Sequence, residues 1–244
     1  MKAMILAAGL GTRLKPLTND KPKALVEVNN RPMLDIVIQR LVRSGFREII
    51  VNVHYFSDQV IAFLKKNTIQ GIRIEISDES DQLLDTGGAI VRARSFLDGN
   101  EPFLLHNTDV ICDIDLEDLF QQHRHRRALA TLAVSKRQSS RHLLMDNRLV
   151  LKGWENTITN ERILTEENPG ELQALAFSGI HVISPEIFRY IKKQGKFSIV
   201  RTYLQLAASY PIYGYLHDPD KWFDLGKLEE IAKAEAFLRK HPEF

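Results

Sequence analysis

The chain has 244 residues, of which 44% are hydrophobic and 26% charged, a composition typical of an ordinary globular protein. Its 33 basic and 31 acidic residues leave a formal net charge of +2, which gives no electrostatic reason to expect a nucleic-acid or anionic-membrane partner. The single cysteine, Cys112, excludes an internal disulfide and fits a reducing compartment.

Strands and helices are predicted to alternate through the first half of the chain. The apolar pattern predicts strands at residues 2–8, 48–53, 72–76 and 102–106, and helices at 33–44, 57–66 and 87–97. The alternation predicts βαβ crossovers and a mostly parallel sheet, in which ligands bind beyond the carboxyl ends of the strands. We therefore expect the loops after Ala8, Ile76 and His106 to share one crevice. The first apolar run is too short for a signal peptide or a membrane span, so a cytoplasmic location is expected.

The second half of the chain is less regular. The pattern predicts helices at 115–125, 185–192, 198–209 and 225–238, strands at 128–134, 175–183 and 212–216, and a hairpin over 143–151. Ser198 is placed to cap the helix that follows it. No stretch has the composition of a linker, so we predict one α/β domain over residues 1–244.

The segment with the most information follows the first strand. A glycine turn at residues 9–11 leads to Arg13, and a Pro22-Lys23 pair comes before the next apolar run. Glycines let the backbone approach an anionic ligand and point N–H groups at it, while Arg13 and Lys23 add fixed positive charge. The segment predicts a triphosphate site. It is not a dinucleotide fingerprint, because Leu14 stands where the third glycine belongs, and it lacks the Gly-Lys-Ser/Thr of a P-loop.

The whole pattern L-A-A-G-x-G-T-R-x-x-P-L-T-x-x-x-P-K, residues 6–23, resembles the sugar-1-phosphate nucleotidyltransferases, or nucleotide-sugar pyrophosphorylases. The resemblance implies a Rossmann-like, mostly parallel mixed sheet flanked by helices, the nucleotide-diphospho-sugar transferase fold. Residues 1–125 would form the nucleotide-binding half, and residues 126–244 the sugar-binding half and the C-terminal helix. The implied reaction joins a nucleoside triphosphate to a sugar 1-phosphate and releases pyrophosphate.

Two aspartates are candidates for binding Mg²⁺, which prefers one or two carboxylates together with phosphate oxygens and water. Asp109 follows a predicted strand, in Asn107-Thr-Asp109, and resembles the family's N-x-D motif. Asp224 lies in Trp222-Phe-Asp-Leu-Gly and resembles its W-x-D-x-G motif. The resemblance makes Arg13, Lys23, Asp109 and Asp224 the catalytic residues.

Substrate contacts are implied by the same motifs. The nucleotide contacts are Ala8, Gly9, Gly11, Thr12, Gln82, Thr86 and Gly87, and the sugar contacts are Asn107, Glu155, Ser178 and Gly179. Gln82 is preferred to Glu79 at the base edge because an amide pairs with both a donor and an acceptor of uracil. Many members have a lysine after the glutamate of the sugar site, but Asn156 stands there, and Lys152, Arg137 or Arg141 would have to replace it.

Within the family, the chain is most similar to the short MurNAc-1-phosphate uridylyltransferases of peptidoglycan recycling. Asp85-Thr-Gly-Gly and Phe177-Ser-Gly-Ile carry that similarity, although Asp85 replaces the usual glutamate and the segment between Glu155 and Leu175 is longer than expected. The resemblance therefore favours UTP and MurNAc-1-phosphate.

Two alternatives stay open. The chain would be a guanylyl-, thymidylyl- or cytidylyltransferase acting on mannose-, heptose-, glucose- or choline-phosphate, or a non-catalytic sensor of nucleotide sugars. The presence of all four catalytic residues favours an enzyme. The oligomeric state is not predicted.

Overall fold

A central sheet of ten strands organises the protein in the computed structural model, which describes residues 1–241. The strands are β1 (Lys2–Leu6), β2 (Glu27–Val28), β3 (Arg31–Pro32), β4 (Glu48–Val53), β5 (Arg73–Asp78), β6 (Phe103–Asn107), β7 (Val110–Cys112), β8 (Ala130–Ser135), β9 (Arg141–Met145), β10 (Leu151–Asn156), β11 (Glu161–Leu164), β12 (Gln173–Ile183), β13 (Ile212–Leu216) and β14 (Trp222–Asp224). The helices are α1 (Met33–Arg43), α2 (Ser57–Lys66), α3 (Asp85–Arg92), α4 (Arg94–Leu97), α5 (Leu116–Arg126), α6 (Ile187–Tyr190), α7 (Ile199–Leu206) and α8 (Leu228–Lys240).

The sheet has a parallel part and an antiparallel part. Its order is β11-β10-β9-β12-β6-β1-β4-β5, and β8 pairs with both β12 and β13. Strands β6, β1, β4 and β5 are parallel, whereas β12 runs antiparallel to β6. The predicted α/β fold, a mixed sheet with a Rossmann-like parallel part flanked by helices, is confirmed.

Both faces of β1 are buried, which explains its nearly continuous apolar sequence. Successive side chains point to opposite faces of a strand. Ala3 and Ile5 accordingly lie in the apolar cluster that contains one buried face of α1, and Met4 lies in the cluster that contains Ala89 and Ile90 of α3. The parallel strands are thereby held between helices, and their carboxyl ends form one edge.

A two-stranded ribbon, which the sequence pattern does not predict, lies at that edge. Strands β7 and β14 pair antiparallel, and Asp224 at the end of β14 lies opposite Val110. Asp109 immediately precedes β7, so the ribbon brings together two aspartates that are far apart in sequence. No helix within residues 1–241 is long and apolar enough to cross a membrane.

Other predicted elements need correction. Residues 87–97 form two helices, α3 and α4, which meet at Ala93. Ser198 occupies the N-cap position of α7, but its side chain accepts no capping hydrogen bond. Strands β2, β3 and β11 were not predicted. They are two to four residues long, too short for a hydrophobic period to show.

Candidate active site

The loop after β1 leaves an open space above its backbone. Gly11 has φ +65°, and a Cβ there would lie 2.9 Å from Thr18 Cγ2, so both its conformation and its packing call for glycine. A Cβ on Gly9, in contrast, would meet no atom within 4 Å. Thr12 and Arg13 continue the loop along a cavity of about 290 Å³ that Gly9 also lines. The loop has the form expected of a phosphate-binding turn, and we call residues 7–13 the phosphate loop.

The four predicted catalytic residues lie together beside this loop. Lys23 forms an ion pair with Asp109, and Arg13 Nη1 lies 3.7 Å from Asp224 Oδ2. The backbone N–H of Leu225 donates to the carbonyl of Asp109 (2.8 Å), which joins the two aspartate loops. Two cations and two carboxylates thus share one side of the phosphate loop.

Gly226 provides the room for this arrangement. Its backbone N–H donates to Asp224 Oδ1 (2.9 Å), and a Cβ on it would lie 2.4 Å from Arg13 Nη2. The glycine two residues after Asp224 therefore both orients the carboxylate and leaves space for the guanidinium.

The donor set fits a hard divalent cation. Asp109 and Asp224 offer carboxylate oxygens from adjacent strands, and Mg²⁺ is commonly held by one or two carboxylates, with phosphate and water completing its shell. Within residues 1–241 there is no cluster of three or more metal-ligating side chains. The two aspartates would therefore hold the metal together with the substrate phosphates.

A second cavity, of about 280 Å³, is formed by the three loops that were expected to share a crevice. Its lining residues come from the ends of β1, β4, β5 and β6 and from one loop of the second half: Leu6, Ala8, Gly9, Asn52, Glu79, Leu83, Asp85, Thr86, Asn107, Asp109 and Lys196. Since Gly9 lines both cavities, the second continues from the phosphate loop. The predicted shared crevice is confirmed, and we call this space the nucleotide cavity.

Buried hydrogen bonds connect the two sides of the nucleotide cavity. The N–H of Ala7 donates to Asn52 Oδ1 (2.7 Å), and Asn52 Nδ2 donates to Glu79 Oε1 (2.8 Å). Glu79 Oε2 in turn accepts from the N–H of Leu84 (3.2 Å), in the loop before α3. Burial raises the pKa of the Glu79 carboxyl, and the hydrogen bond from Asn52 opposes that shift. The role of Asn52 was missed, although a polar residue inside an apolar strand is a signal that could have found it.

Gln82 and Glu79, the two residues considered for the base edge, differ in their position relative to the nucleotide cavity. The side chain of Gln82 is exposed and is not among the residues that line the nucleotide cavity, whereas Glu79 belongs to the cavity wall and is fully buried there. Base recognition by Gln82 stays a prediction.

Thr86 and Gly87 connect the nucleotide cavity to the second half of the chain. Thr86 Oγ1 accepts from the N–H of Ile199 (3.0 Å), and the N–H of Gly87 donates to the carbonyl of Phe197 (2.8 Å). A Cβ on Gly87 would lie 2.3 Å from the Phe197 ring. These residues hold the segment that carries Lys196 against the cavity.

The predicted sugar contacts lie in two places: Asn107, Ser178 and Gly179 are close together, and Glu155 is apart from them. Gly179 lies against Asn107, since a Cβ on it would be 2.6 Å from Asn107 Nδ2, and its φ is +76°. Ser178 is fully buried, and its hydroxyl donates to His217 Nε2 (2.7 Å) because His217 Nδ1 lies 2.8 Å from the Asp218 carbonyl and must be the protonated nitrogen. Glu155 lies further along the sheet, with Oε1 3.6 Å from His142 Nδ1.

Lys152 and Arg137, two of the basic residues named as replacements for the family's lysine, have different surroundings. Asn156 Oδ1 accepts from the N–H of Ile158 (3.0 Å), and Lys152 Nζ lies 2.8 Å from Glu166 Oε1, so both side chains are engaged elsewhere. Arg137 stacks on Trp222, with Cζ 3.8 Å from the ring centroid. Trp222 is two residues before Asp224, so this stacking places Arg137 beside the segment that carries Asp224. Burial lowers the pKa of the Arg137 guanidinium, and the charge of Asp224 opposes that shift.

Comparison with known proteins agrees with this geometry. The profile of the family described as "Nucleotidyl transferase" matches residues 2–241. The chain is 34% identical to N-acetylmuramate alpha-1-phosphate uridylyltransferase of Caulobacter vibrioides, over 97% of this chain and 96% of that protein. It is 30% identical to mannose-1-phosphate guanyltransferase beta-A of Xenopus laevis, over 100% of this chain and 68% of that protein.

A solved structure shows the same fold. The crystal structure of a putative glucose-1-phosphate thymidylyltransferase from Bacillus anthracis, in complex with a sucrose, superposes with a TM-score of 0.79 at 21% identity. The match covers 98% of this chain and 95% of that one.

Proposed function

The chain belongs to the nucleotidyl transferase family and has sugar-1-phosphate nucleotidyltransferase activity, and from that premise we propose that it transfers the uridylyl group of UTP to MurNAc-1-phosphate. The observation that carries the proposal is the meeting of Arg13, Lys23, Asp109 and Asp224 beside the phosphate loop, where Asp109 also lines the nucleotide cavity. The sequence identity of 34% to an N-acetylmuramate alpha-1-phosphate uridylyltransferase, which extends over nearly the whole of both chains, supports the choice of sugar and base.

The reaction forms one P–O bond and breaks another. A phosphate oxygen of the sugar phosphate attacks the α-phosphorus, and the bond from that phosphorus to the oxygen bridging the α- and β-phosphates breaks to release pyrophosphate. Arg13 stabilises the charge that develops on the pyrophosphate, and Lys23 holds phosphate at the reacting centre. Positioning and charge stabilisation account for most of the catalysis of such transfers, so no general base is required.

Asp109 and Asp224 would hold Mg²⁺ in this scheme. When bound, the ion would supply positive charge that reduces the repulsion between the two anionic substrates. Lys23 and Arg13 already lie against these carboxylates, so the residues that bind phosphate and those that bind metal form one charge-balanced group.

Arg137 is our choice for the phosphate of the sugar. Its Nε is buried with no hydrogen-bond partner in the part of the chain that the structure describes, while Nη2 donates to the Phe177 carbonyl (2.8 Å). A buried donor without a partner is costly, and a phosphate oxygen would satisfy it.

The test is pyrophosphate release with Mg²⁺, each nucleoside triphosphate and a panel of sugar 1-phosphates. Release restricted to UTP and MurNAc-1-phosphate is the expected result. Asp109→Asn keeps the shape of the side chain but removes its charge, so we expect kcat to fall by about 10²–10³-fold, comparable to the loss of one electrostatic stabiliser. A variant with unchanged kcat would contradict the role given to Asp109.

A guanylyltransferase acting on mannose 1-phosphate is the second candidate. The similarity to mannose-1-phosphate guanyltransferase beta-A extends over the whole of this chain. Release with GTP and mannose 1-phosphate in the same panel would select it. Nucleotide binding without release for any pair would instead point to a sensor of nucleotide sugars.

A further inference from the structure

A third cavity, of about 460 Å³, lies between the hairpin of β9 and β10 and helix α7. Its size is within the range of small-molecule sites. Trp154, Phe177 and Leu204 give it apolar walls, and Arg141, His142 and Arg201 bring basic side chains to it. We call it the hairpin cavity.

Its walls are continuous with the active site along the chain. Phe177 directly precedes Ser178 and Gly179, and Gly179 lies against Asn107. On the other side, Ser198 lines the hairpin cavity and Lys196, two residues earlier, lines the nucleotide cavity. Arg137, to which we assign the phosphate of the sugar, donates to the carbonyl of Phe177, so a sugar held there would extend towards the hairpin cavity.

The basic side chains of this wall differ in whether they have an acidic partner. Arg201 Nη2 lies 2.8 Å from Glu161 Oε1, and His142 faces Glu155. Arg141 is exposed, and its guanidinium has neither an ion pair nor a hydrogen bond with any residue that the structure describes. Of the two arginines that line the cavity, Arg201 is paired with Glu161, and Arg141 is paired with no carboxylate of the described residues.

The other polar groups of the cavity are mainly donors. The Ser198 hydroxyl does not cap α7 and has no hydrogen-bond partner among residues 1–241. The Ser139 hydroxyl oxygen accepts from the N–H of Arg141 (3.2 Å), which leaves its own proton available. A planar carboxylate accepts hydrogen bonds only and matches the fork of an arginine, whereas a sugar hydroxyl would leave the charge of Arg141 uncompensated.

We propose that the hairpin cavity binds a carboxylate carried by the sugar 1-phosphate, with Arg141 as its partner. The proposal rests on the proposed function, because the phosphate of the same molecule must lie in the active site. It selects between the two candidates, since N-acetylmuramate carries a carboxylate on its lactyl ether and mannose carries none.

The experiment compares two sugars that differ only in the lactyl ether that carries the carboxylate, MurNAc-1-phosphate and GlcNAc-1-phosphate, each with UTP and with GTP. We expect Arg141→Met to lower kcat/KM for MurNAc-1-phosphate about 10- to 100-fold, mainly through KM, as expected for a lost charge pair. The affinity for GlcNAc-1-phosphate, measured as inhibition of MurNAc-1-phosphate turnover, should not change. Arg148→Met is the matched control, because Arg148 is exposed at the turn of the same hairpin and does not line the cavity.

An equal loss with both sugars, or no loss with either, would overturn the proposal. Binding of free N-acetylmuramic acid, followed by saturation-transfer NMR in the wild type and in Arg141→Met, tests the cavity without turnover. Binding that depends on Arg141, in a protein that turns over no sugar phosphate, would keep the carboxylate site and reject the proposed function. Binding that is absent, or equal in both proteins, would reject the site.

Discussion

The hydrogen bonds through Asn52 and Glu79 have a fixed direction. Because the N–H of Ala7 must donate, Asn52 Oδ1 is the acceptor and its Nδ2 points at Glu79. The N–H of Leu84 also donates to Glu79, so both carboxylate oxygens of Glu79 act as acceptors. The three bonds link the phosphate loop to the loop before α3, on opposite sides of the nucleotide cavity, and we expect them to set its width.

Exchanging the two side-chain types tests this role. In Glu79→Gln, one N–H of the new amide faces another donor. In Asn52→Asp, two buried carboxylates face each other. We expect either change to raise KM for the nucleotide about tenfold or more. In the double variant Asn52→Asp/Glu79→Gln, the bond between the two side chains is reversed while both backbone donors keep their acceptors. We expect the double variant to recover most of the nucleotide affinity.

The affinity for nucleotide and the thermal stability must be measured separately on all three variants. A double variant that is no better than the worse single variant would contradict the directional network. If stability were restored but KM for the nucleotide remained high, the network would support folding only.

At this scale, local motifs were predictable and distant pairings were not. The phosphate loop could be predicted because Gly9, Gly11 and Arg13 lie within one short segment. Asp109 and Asp224 were found by motif, but their closeness depends on the pairing of β7 with β14, which no local pattern encodes. The burial of Glu79 was missed for the same reason, because the residues that cover it come from other strands.

Helix α7 begins with a hydrogen bond supplied by another element. Ser198 has the right residue type and backbone for a cap, yet the N–H of Ile199 is bound by Thr86 Oγ1. Sequence reasoning assigns caps from neighbours in the chain and therefore selected Ser198. Helix α2, strand β4 and strand β13, in contrast, have the predicted bounds, because their apolar periods span five residues or more.

This difference gives a paired test of the cap. We expect Thr86→Val to lower the free energy of unfolding by about 1–2 kcal/mol, the usual cost of losing a cap, because the N–H of Ile199 loses its acceptor. Ser198→Ala should change it by less than about 0.5 kcal/mol. Urea unfolding of the two variants and the wild type measures both values. A larger loss in Ser198→Ala than in Thr86→Val would contradict the assignment.

On the scale of the whole molecule, three histidines are buried in the interior. Burial lowers the pKa of His106 and of His181 to about 3 and that of His123 to about 4. His123 is held as the neutral form: Ser184 donates to the Ala128 carbonyl and so accepts from His123 Nε2, which leaves Nδ1 to accept from Thr131. All three side chains are buried in the folded protein, so the protonation of any of them opposes folding of the whole molecule.

The sign of the pH dependence follows from these pKa values. An unfolded histidine titrates near 6.5, so below that pH the unfolded chain binds protons that the folded chain excludes, and stability falls as the pH falls from about 6.5 towards 4. Between pH 8 and pH 5.5 each histidine would remove about 1.4 kcal/mol, and the three together about 4 kcal/mol, a large share of a typical folding free energy. Urea unfolding at the two pH values measures the difference.

In His123→Gln the difference in unfolding free energy between the two pH values should shrink by about 1.4 kcal/mol, whereas His125→Gln, on the exposed face of the same helix, should leave it unchanged. An equal pH dependence in the wild type and in His123→Gln would show that folding does not exclude a proton from His123.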